Sequence, residues 1–229
     1  MIRHSETLAR VPLFRSLDAK AIVQLDSRCI WRRAKAGEWV LDYQEGGNEL
    51  FFVVQGHVRV TIQPVSGSTV ILRDIRDGEY FGELAAIDGQ PRSAGIQAIT
   101  DSIISRMPPL VFRETVHREP DVCDQLLALL ASQIRMLANR VNEFSTLDVR
   151  HRIYAELLRL ARRHREDGKG VISPPPTHAE IAARVSTHRE AVTRELKSLE
   201  RAGLIERRRG AIVLVDPAHL AGLVEQAVG

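Results

Sequence analysis

The hydrophobic pattern of the chain changes its period near Pro120. Upstream, between Glu38 and Met107, short apolar runs are separated by turn residues at intervals of roughly eight to twelve positions, as in a β sandwich, roll or barrel. Downstream, apolar residues recur at steps of three and four, at Leu126, Leu130, Ile134, Leu137, Val141 and Phe144. The change predicts a β domain followed by a long amphipathic helix.

The strand pattern is clearest in four segments. In HVRVTIQ, residues Val58, Val60 and Ile62 share one face, while EWVLDY, LFFVV and TVILRDI are rich in β-branched or aromatic residues. An amphipathic stretch over roughly 17–28 predicts a helix ahead of these strands. We therefore expect a mostly β N-terminal domain that begins with a helix.

The apolar stripe of the long helix is narrow and covers about 24 residues, which favours pairing with a second copy of the chain. A helix that lies on its own domain is the alternative. The segment STLDV, 145–149, interrupts the stripe, so we predict a hinge there.

The last third of the chain predicts helices and a hairpin. A helix over 150–165 should lead into the polar loop REDGKG and the proline-rich stop SPPP. THAE, 177–180, and THRE, 187–190, both fit a capping box, which predicts two short helices joined by a tight turn near Val185–Ser186. ERRRGAIVLVD then predicts a hairpin with a basic tip at Arg207–Gly210, and the whole pattern is that of a winged helix.

Positive charge is concentrated in the same third. Residues 1–149 contain 17 Lys and Arg against 19 Asp and Glu, whereas residues 150–229 contain 15 against 10. This excess favours contact with a phosphate backbone, although a solvated basic face is the alternative.

Composition excludes several classes of protein. A chain of 229 residues that is 44% hydrophobic and 27% charged is typical of a soluble globular protein. The polar start MIRHSETLAR predicts no signal peptide, and no apolar run approaches the length of a membrane span, so we expect a cytoplasmic protein. Two distant cysteines, Cys29 and Cys123, predict neither a disulfide framework nor an iron–sulfur cluster.

Catalysis and metal binding are not expected either. The histidines, among them His4, His57, His117 and His151, do not cluster at metal-ligand spacing, and His57 is predicted on the surface because it alternates with apolar neighbours. The chain has no GxSxG, HExxH or Walker motif, so we predict that it is not an enzyme.

The segment FGELAAIDGQPRSA, Phe81–Ala94, carries the chemistry of a small-ligand site. Gly82 would allow a ligand close to the backbone, the amides at Leu84–Ala85 would face an anion, and Arg92 offers a fork that suits phosphate oxygens. Glu83 could accept a hydrogen bond from a sugar hydroxyl. An anionic ligand with a hydroxyl group meets both needs, and an internal Glu83–Arg92 salt bridge is the alternative.

This segment resembles the phosphate-binding cassette of cyclic-nucleotide-binding domains, and the C-terminal region resembles the DNA-binding half of the cyclic-AMP receptor protein/FNR superfamily. The likeness extends from LARVPLFRSL through GEWVLDYQEG and FFVVQGHVRV to the long helix, LDV and the winged helix. It implies an α+β fold: a cyclic-nucleotide-binding β-roll of the double-stranded β-helix type at 1–120, a dimerisation helix and hinge at 121–149, and a winged helix-turn-helix at 150–229.

The resemblance also implies contacts for a cyclic nucleotide within the cassette. They are Glu83 for the ribose 2′-hydroxyl, Gly82, Leu84 and Ala85 for backbone contacts, and Arg92 and Ser93 for the cyclic phosphate. The chain departs from the family pattern on the long helix, where the cyclic-AMP receptor protein uses a Thr–Ser pair to contact adenine. Here Leu137 and Ala138 stand at those positions, with Asn139 as the nearest amide. Cyclic AMP is therefore the first expected effector and cyclic GMP the second, with another effector left open.

The DNA-reading motif of the family, R-E-x-V-x-R, is intact as Arg189, Glu190, Val192 and Arg194. Arginine can bind guanine and glutamate can accept from cytosine, and the motif implies a palindrome with TGTGA-like half-sites. Because Glu190 also fits the second capping box, these two roles compete. Further DNA contacts are expected at Thr177, Thr187, His188, Thr193, Lys197 and the wing arginines Arg207, Arg208 and Arg209.

We therefore expect an allosteric, homodimeric transcription regulator in which a cyclic nucleotide shifts the hinge and reorients two winged helices on double-stranded DNA. The resemblance implies RNA polymerase as a further partner. One alternative is the same regulator with a ligand-free or differently liganded cassette. The other is a cyclic-nucleotide enzyme such as a phosphodiesterase, for which the sequence offers no metal constellation.

Overall fold

A computed structural model of the chain describes residues 7–63, 69–162, 165–166 and 168–227, and the chain divides into two compact units, Met1–Ser132 and Gln133–Gly229. His4 lies outside the described residues. In the described part of the chain, no helix is both long and apolar enough to cross a membrane.

The first unit is a pair of antiparallel sheets with helices packed on one of them. Its elements in chain order are α1 Ala19–Ser27, β1 Ile30–Ala34, β2 Trp39–Leu41, β3 Leu50–Gln55, β4 His57–Ile62, β5 Val70–Arg76, β6 Tyr80–Phe81, α2 Glu83–Asp88, β7 Gly95–Ala98, β8 Ser102–Met107, α3 Pro109–Arg118 and the start of α4. Helix α4 comprises Pro120–Thr146, and its residues from Gln133 onward belong to the second unit. The strands order as β1-β8-β3-β6 in one sheet and β2-β7-β4-β5 in the other. Two short 3₁₀ turns, Leu8–Arg10 and Pro12–Phe14, precede α1.

Strand β3 explains why LFFVV is a continuous apolar run. Phe51 and Val53 point into the core between the sheets, and Leu50, Phe52 and Val54 point into a second core against the helices. A strand that is buried on both faces has no polar side, so its sequence cannot alternate. The predicted β domain and the predicted helix near 17–28 are confirmed, whereas β1 and α3 were not predicted.

His57 corrects one prediction. Its side chain is 14% exposed rather than on the surface, and its Nε2 lies 3.3 Å from Asp74 Oδ2 on β5. Arg59, on the same side of β4, donates from Nε to Asp74 Oδ1 over 2.8 Å and pairs with Asp74 across the sheet. The polar face of β4 therefore carries a largely buried charge cluster with Asp74 of the neighbouring strand β5.

Helix α4 fits the second alternative, a helix that lies on its own domain, over its first turns only. Its first turns lie on their own domain, since Val122 and Leu126 are buried in the core of the first unit. Farther along, Ile134, Leu137 and Val141 are 67%, 52% and 66% exposed. The stripe thus packs within the chain at its start and is exposed at the positions that follow.

The second unit contains a helix-turn-helix and a small sheet. Its further elements are α5 Val149–Ala161, β9 Arg165–Glu166, β10 Lys169–Ile172, α6 His178–Val185, α7 Arg189–Arg201, β11 Ile205–Arg208, β12 Ala211–Leu214 and α8 Pro217–Gln226. The strands order as β11-β12-β10-β9, and one apolar core joins α5, α6, α7, α8 and the sheet. Strands β9 and β10 lie where a polar loop was predicted, with Asp167 outside the described residues. Helix α8, which starts at Pro217 after the N-cap Asp216, was not predicted.

The two predicted capping boxes have different outcomes. The first is confirmed: the Thr177 hydroxyl accepts from the Glu180 amide, and the Glu180 carboxylate accepts from the Thr177 amide. The second is wrong, because α7 has His188 as its N-cap and no side-chain cap bond. The amide of Thr187 instead donates to the Ala182 carbonyl and completes the end of α6. Ser186 between them is left-handed, with φ 51° and ψ 60°, as expected for the turn position.

Candidate functional sites

Gly82 sets the geometry of the cassette. It follows β6 with a φ of +83° and precedes α2 directly. A Cβ at this position would lie 2.8 Å from Arg92 Nη1 and 3.0 Å from the Glu49 carbonyl oxygen, so a side chain here would displace the Arg92 guanidinium. Glycine is therefore needed both for the left-handed backbone and for the close approach of Arg92.

The guanidinium of Arg92 is buried and firmly held. Its Nη1 donates to the carbonyls of Glu49 and Gly82 at 3.0 and 3.2 Å, and its Nη2 donates to Glu49 Oε2 at 3.2 Å. The group also lies 5.4 Å from the centroid of the Phe51 ring. Burial lowers the pKa of Arg92, and the carboxylate of Glu49 opposes that shift. Arg92 thus forms an ion pair with Glu49, a partner that the sequence did not suggest, and the charge of Glu83 also opposes the shift of its pKa.

Glu83 is the first residue of α2 and is only 6% exposed. Burial raises the pKa of its carboxyl, while its own backbone amide and the charges of Arg73 and Arg92 act in the opposite direction. Arg73 reaches the same region from β5, where its Nη2 donates to the Tyr80 carbonyl at 3.2 Å. A buried carboxylate and a buried guanidinium therefore flank the left-handed glycine.

The other cassette residues surround this pair. Ala85 is buried, whereas Leu84 and Ser93 are exposed, so the Leu84 side chain is free of the core and only its backbone belongs to the turn. Leu137, Ala138 and Asn139 are all exposed on α4, in the second unit.

The outer face of α7 carries the sequence motif. Arg189, Glu190 and Arg194 are exposed, while Val192 is fully buried in the core of the second unit. Among the described residues, none of the three exposed side chains makes a hydrogen bond or an ion pair. They line a shallow depression of about 510 Å³ together with Thr193, Lys197 and Arg201. The helix thus presents two arginines and a carboxylate on one open face.

Comparison with known proteins assigns both units to one family. Residues 31–119 match the cyclic nucleotide-binding domain, and residues 151–223 match the Crp-like helix-turn-helix domain. The chain is 30% identical over 193 residues to the cAMP-activated global transcriptional regulator CRP of Escherichia coli, which covers 82% of this chain and 90% of that protein. The chain belongs to the CRP/FNR family. This family consists of DNA-binding transcription regulators and not of enzymes.

Two further relatives support this membership of the CRP/FNR family. The CRP-like cAMP-activated global transcriptional regulator of Mycobacterium tuberculosis is 28% identical over 218 residues, covering 94% of this chain and 97% of that one. A solved CRP/FNR regulator of Thermus thermophilus is 31% identical, with a TM-score of 0.64 and coverage of 86% and 98%. A CooA mutant from Carboxydothermus hydrogenoformans, 19% identical with a TM-score of 0.79 over 93% and 94% of the chains, shares the fold.

Two contacts of this CRP/FNR chain fix α7 on its neighbours, and sequence reasoning missed both. His178 Nδ1 on α6 lies 2.7 Å from the Thr193 hydroxyl, which also donates to the Arg189 carbonyl. Burial lowers the pKa of His178, and the charges of Arg207 and Arg189 add to that shift. The Thr193 hydroxyl, a predicted phosphate contact, is therefore already engaged within the protein.

The second contact joins α5 to α7. The Tyr154 hydroxyl donates to Glu195 on α7 and accepts from Arg150 Nε at 2.6 Å. Burial raises the pKa of Tyr154 to about 12, so the hydroxyl keeps its proton and remains a donor. Because this chain of bonds ends on α7, it sets the rotation of the helix that carries the motif.

The wing residues are exposed but partly paired. Arg208 Nη2 lies 3.0 Å from Glu206 Oε2, and Arg207 Nε lies 3.5 Å from Glu200 Oε2. The remaining predicted DNA contacts Thr177, His188 and Lys197 are exposed, and Thr187 is partly buried. Within the described residues, no group of three His, Cys, Asp or Glu side chains could hold a metal ion.

Glu49 and Arg73 are the cassette residues that sequence reasoning missed. Glu49 is 43 positions from Arg92, but it ends the glycine-rich turn before β3, and Phe51 on β3 pairs with Phe81 on β6. Any residue just ahead of β3 therefore lies beside Gly82. The turn EGGNEL indicates that Glu49 lies just ahead of a strand. The sequence does not show that this strand, β3, pairs with β6, and that pairing brings Glu49 to Arg92.

Proposed function

We propose that this chain is a homodimeric transcription regulator whose binding to an operator is controlled by a cyclic nucleotide, with cyclic AMP the first candidate and cyclic GMP the second. The observation that carries the proposal is the buried pair Glu83 and Arg92 on either side of left-handed Gly82. Buried charges are costly, and a fold keeps them where a ligand or a partner group uses them.

In the proposed complex, Arg92 and the Ser93 hydroxyl bind the cyclic phosphate, and Glu83 accepts from the ribose 2′-hydroxyl. Gly82, Leu84 and Ala85 contribute their backbone amides. Glu49 holds the Arg92 fork in a fixed orientation, so the side chain loses little conformational entropy when the phosphate binds. The names of the relatives, which are activated by cAMP, favour cyclic AMP.

The base is the least determined part of the ligand. Leu137 and Ala138 offer no polar side-chain atom, and Asn139, which directly follows them on α4, is the first residue there with a side-chain amide. Apolar contacts distinguish adenine from guanine poorly compared with hydrogen bonds. Cyclic GMP therefore remains the second candidate.

The exposed face of α4 supports a homodimer. Ile134, Leu137 and Val141 repeat at steps of three and four and are each more than half exposed. A second copy of the helix would bury this narrow stripe in the manner of a coiled coil. Two copies would present two α7 helices to a palindrome.

The face of α7 supports the proposed operator. Arg189 and Arg194 suit guanine, and Glu190 suits cytosine N4, in a TGTGA-like half-site. Because the second capping box is absent, Glu190 has no capping role that competes with base reading. Once bound at a promoter, the dimer would act on RNA polymerase.

A second candidate is a DNA-binding regulator with a ligand-free cassette, and one observation favours it. Arg92 already has a carboxylate partner in Glu49 and two carbonyl partners, so it is not an open charge. In that case the Glu49–Arg92 pair would stabilise the cassette without a ligand.

Calorimetric titration separates the two candidates. Cyclic AMP and cyclic GMP are titrated into the protein with 5′-AMP, which lacks the cyclic phosphate, as the control. We expect saturable heat with at least one cyclic nucleotide, stabilisation of about 2.7 kcal/mol at a hundredfold excess over Kd, and tighter operator binding. No heat and no stabilisation with either nucleotide would leave the scaffold candidate. A monomer in sedimentation velocity would contradict the homodimer.

A further inference from the structure

Five charged side chains form a cluster in the second unit. Its members are Arg140 and Glu143 on α4, Glu156 and Arg159 on α5, and Arg184 on α6, and we call them the Glu156 cluster. Glu156 is at the centre and is 3% exposed. Helices α4, α5 and α6 therefore meet at one buried carboxylate.

The contacts of the cluster are directional. Glu156 Oε2 lies 3.0 Å from Arg140 Nη1 and is also bound by Arg159, while Glu156 Oε1 lies 3.8 Å from Arg184 Nη1. Arg159 Nη2 in turn contacts both oxygens of Glu143, at 2.6 and 2.7 Å. Glu156 thus contacts three arginines from three helices, and Glu143 shares Arg159 with it, so the cluster has few alternative arrangements.

Arg140 makes a second contact that reaches the helix-turn-helix. Its Nη2 donates to the backbone carbonyl of Arg184 in the last turn of α6. A positive charge at a helix C-terminus is favourable, because the last carbonyls lack partners within the helix. The next residues, Val185 and Ser186, lead into the turn before α7. The end of α4 thus braces the turn that positions α7.

Arg140 is also next to the proposed effector contacts. It directly follows Leu137, Ala138 and Asn139 on the same helix, so a rotation or shift of α4 at those residues must move Arg140 as well. An ionic cluster is seldom the most stable filling for a buried site, since well-packed apolar residues often serve better. Its directional bonds instead define one register between the three helices.

We propose that the Glu156 cluster couples the effector site to DNA reading and that Arg140 is its positioning residue. Arg140 transmits a movement of α4 to the end of α6, and α6 carries it through the turn at Ser186 to α7. This inference rests on the proposed function in one respect, since the movement of α4 is ascribed to the cyclic nucleotide.

The test compares Arg140→Gln with Arg135→Gln in the full-length protein. Arg135 is an exposed arginine on the same helix and serves as the matched control. The measured quantity is the coupling ratio, the operator Kd without cyclic AMP divided by the Kd with it. We expect the ratio of R140Q to fall at least tenfold toward one, while cyclic AMP binding without DNA changes no more than about threefold. The conservative variant R140K keeps the charge but lacks the two-nitrogen fork that contacts Glu156 and the Arg184 carbonyl together, so its ratio should lie in between.

Hydrogen–deuterium exchange without nucleotide supplies a second readout. Peptides over 178–201 should exchange faster in R140Q than in the wild type, and R135Q should match the wild type. An unchanged coupling ratio in R140Q overturns the inference, as does an equal loss in R135Q.

A failure of the proposed function is recognised separately. If wild-type protein gives no calorimetric heat with cyclic AMP or cyclic GMP, the proposed function fails before any variant is compared. Exchange then decides alone: faster exchange confined to α6 and α7 in R140Q supports the positioning role, and unchanged exchange overturns it.

Discussion

Arg92 in the cassette and Arg189 on α7 are both proposed to bind nucleotide groups, but they have opposite surroundings. Arg92 is 3% exposed, with three hydrogen bonds to Glu49 and Gly82. Arg189 is exposed, and its side chain makes no hydrogen bond or ion pair among the described residues. Folding has therefore already removed water from Arg92, whereas DNA binding must do so for Arg189.

The difference separates two ways of recognising phosphate-bearing ligands. A small ligand contributes few contacts, so its site must hold each charge in place before binding. DNA contributes many contacts and a strong field, so its partner surface can leave arginines hydrated. Screening by salt should accordingly weaken operator binding far more than nucleotide binding.

The largest expected effect is at Arg92. Replacing it in Arg92→Gln should weaken cyclic AMP binding by roughly 30-fold or more, because loss of one member of a buried charge pair costs about 2–5 kcal/mol. Arg106→Gln is the control, since Arg106 lies 3.5 Å from the other oxygen of Glu49 but is much more exposed. It should change the affinity less than about threefold, within the tolerance for a surface pair. If calorimetry shows equal losses of cyclic AMP affinity in R92Q and R106Q, pairing with Glu49, and not the buried Arg92 guanidinium, determines binding.

Glu83 tests the cost of a buried carboxylate. Glu83→Gln should weaken cyclic AMP binding by roughly 10- to 100-fold, the value of a hydrogen bond to a charged group. The same substitution should not lower the stability of the first unit at pH 7, although it weakens ligand binding. Because burial raises the pKa of Glu83, the stability that its protonation provides is present below pH 4.5 and is lost as pH rises through the folded-state pKa.

The neutral glutamine of E83Q avoids the cost of burying a charged carboxylate at pH 7. The first unit of E83Q should therefore melt at the same temperature as wild type or higher at pH 7, with a smaller advantage at pH 4.5. Calorimetric scans of both proteins at the two pH values measure the difference. A variant that is less stable at pH 7 than at pH 4.5, relative to wild type, would mean that the Glu83 charge stabilises the fold.

The exposed side of the comparison is tested by Arg189→Ala and Arg208→Ala. The first should cost about 1–3 kcal/mol on a TGTGA-like operator and little on random DNA, since it removes a base contact. The second should weaken binding to both DNAs alike and reduce the slope of log K against log salt by about 0.9 for one phosphate. Fluorescence anisotropy over a salt series measures both. Identical behaviour of the two variants would contradict the division between base and phosphate contacts.

The smallest expected effect is at the turn that presents Arg189. Ser186 has a left-handed backbone, which glycine adopts without strain. Ser186→Gly should stabilise the second unit by about 1 kcal/mol, with operator affinity changed less than about twofold. Circular dichroism during heating gives the first value, and anisotropy gives the second. A drop in stability would mean that the serine side chain contributes more than its backbone costs.

Features that depend on local sequence were predictable. The long helix follows from its stripe and the cap at Thr177 from its box. Each depends on residues that are close in sequence, where spacing determines geometry.

Features that depend on tertiary pairing were not predictable. The THRE box fails because the Thr187 amide completes the end of α6, so the spacing alone could not place the start of α7. Glu49 reaches Arg92 only because β3 pairs with β6. His57 is largely buried beside Asp74 of β5, a contact between strands that its alternation with Val58 does not reveal.

The positions of the tryptophans have a practical consequence. The chain has two, Trp31 and Trp39, and both belong to the first unit, where the Trp31 indole donates to the Asp26 carbonyl and Trp39 lies beside Gly95. Each unit has its own apolar core. Tryptophan fluorescence is therefore an optical reporter of one unit only, which should respond to melting around the cassette and not to melting of the winged helix.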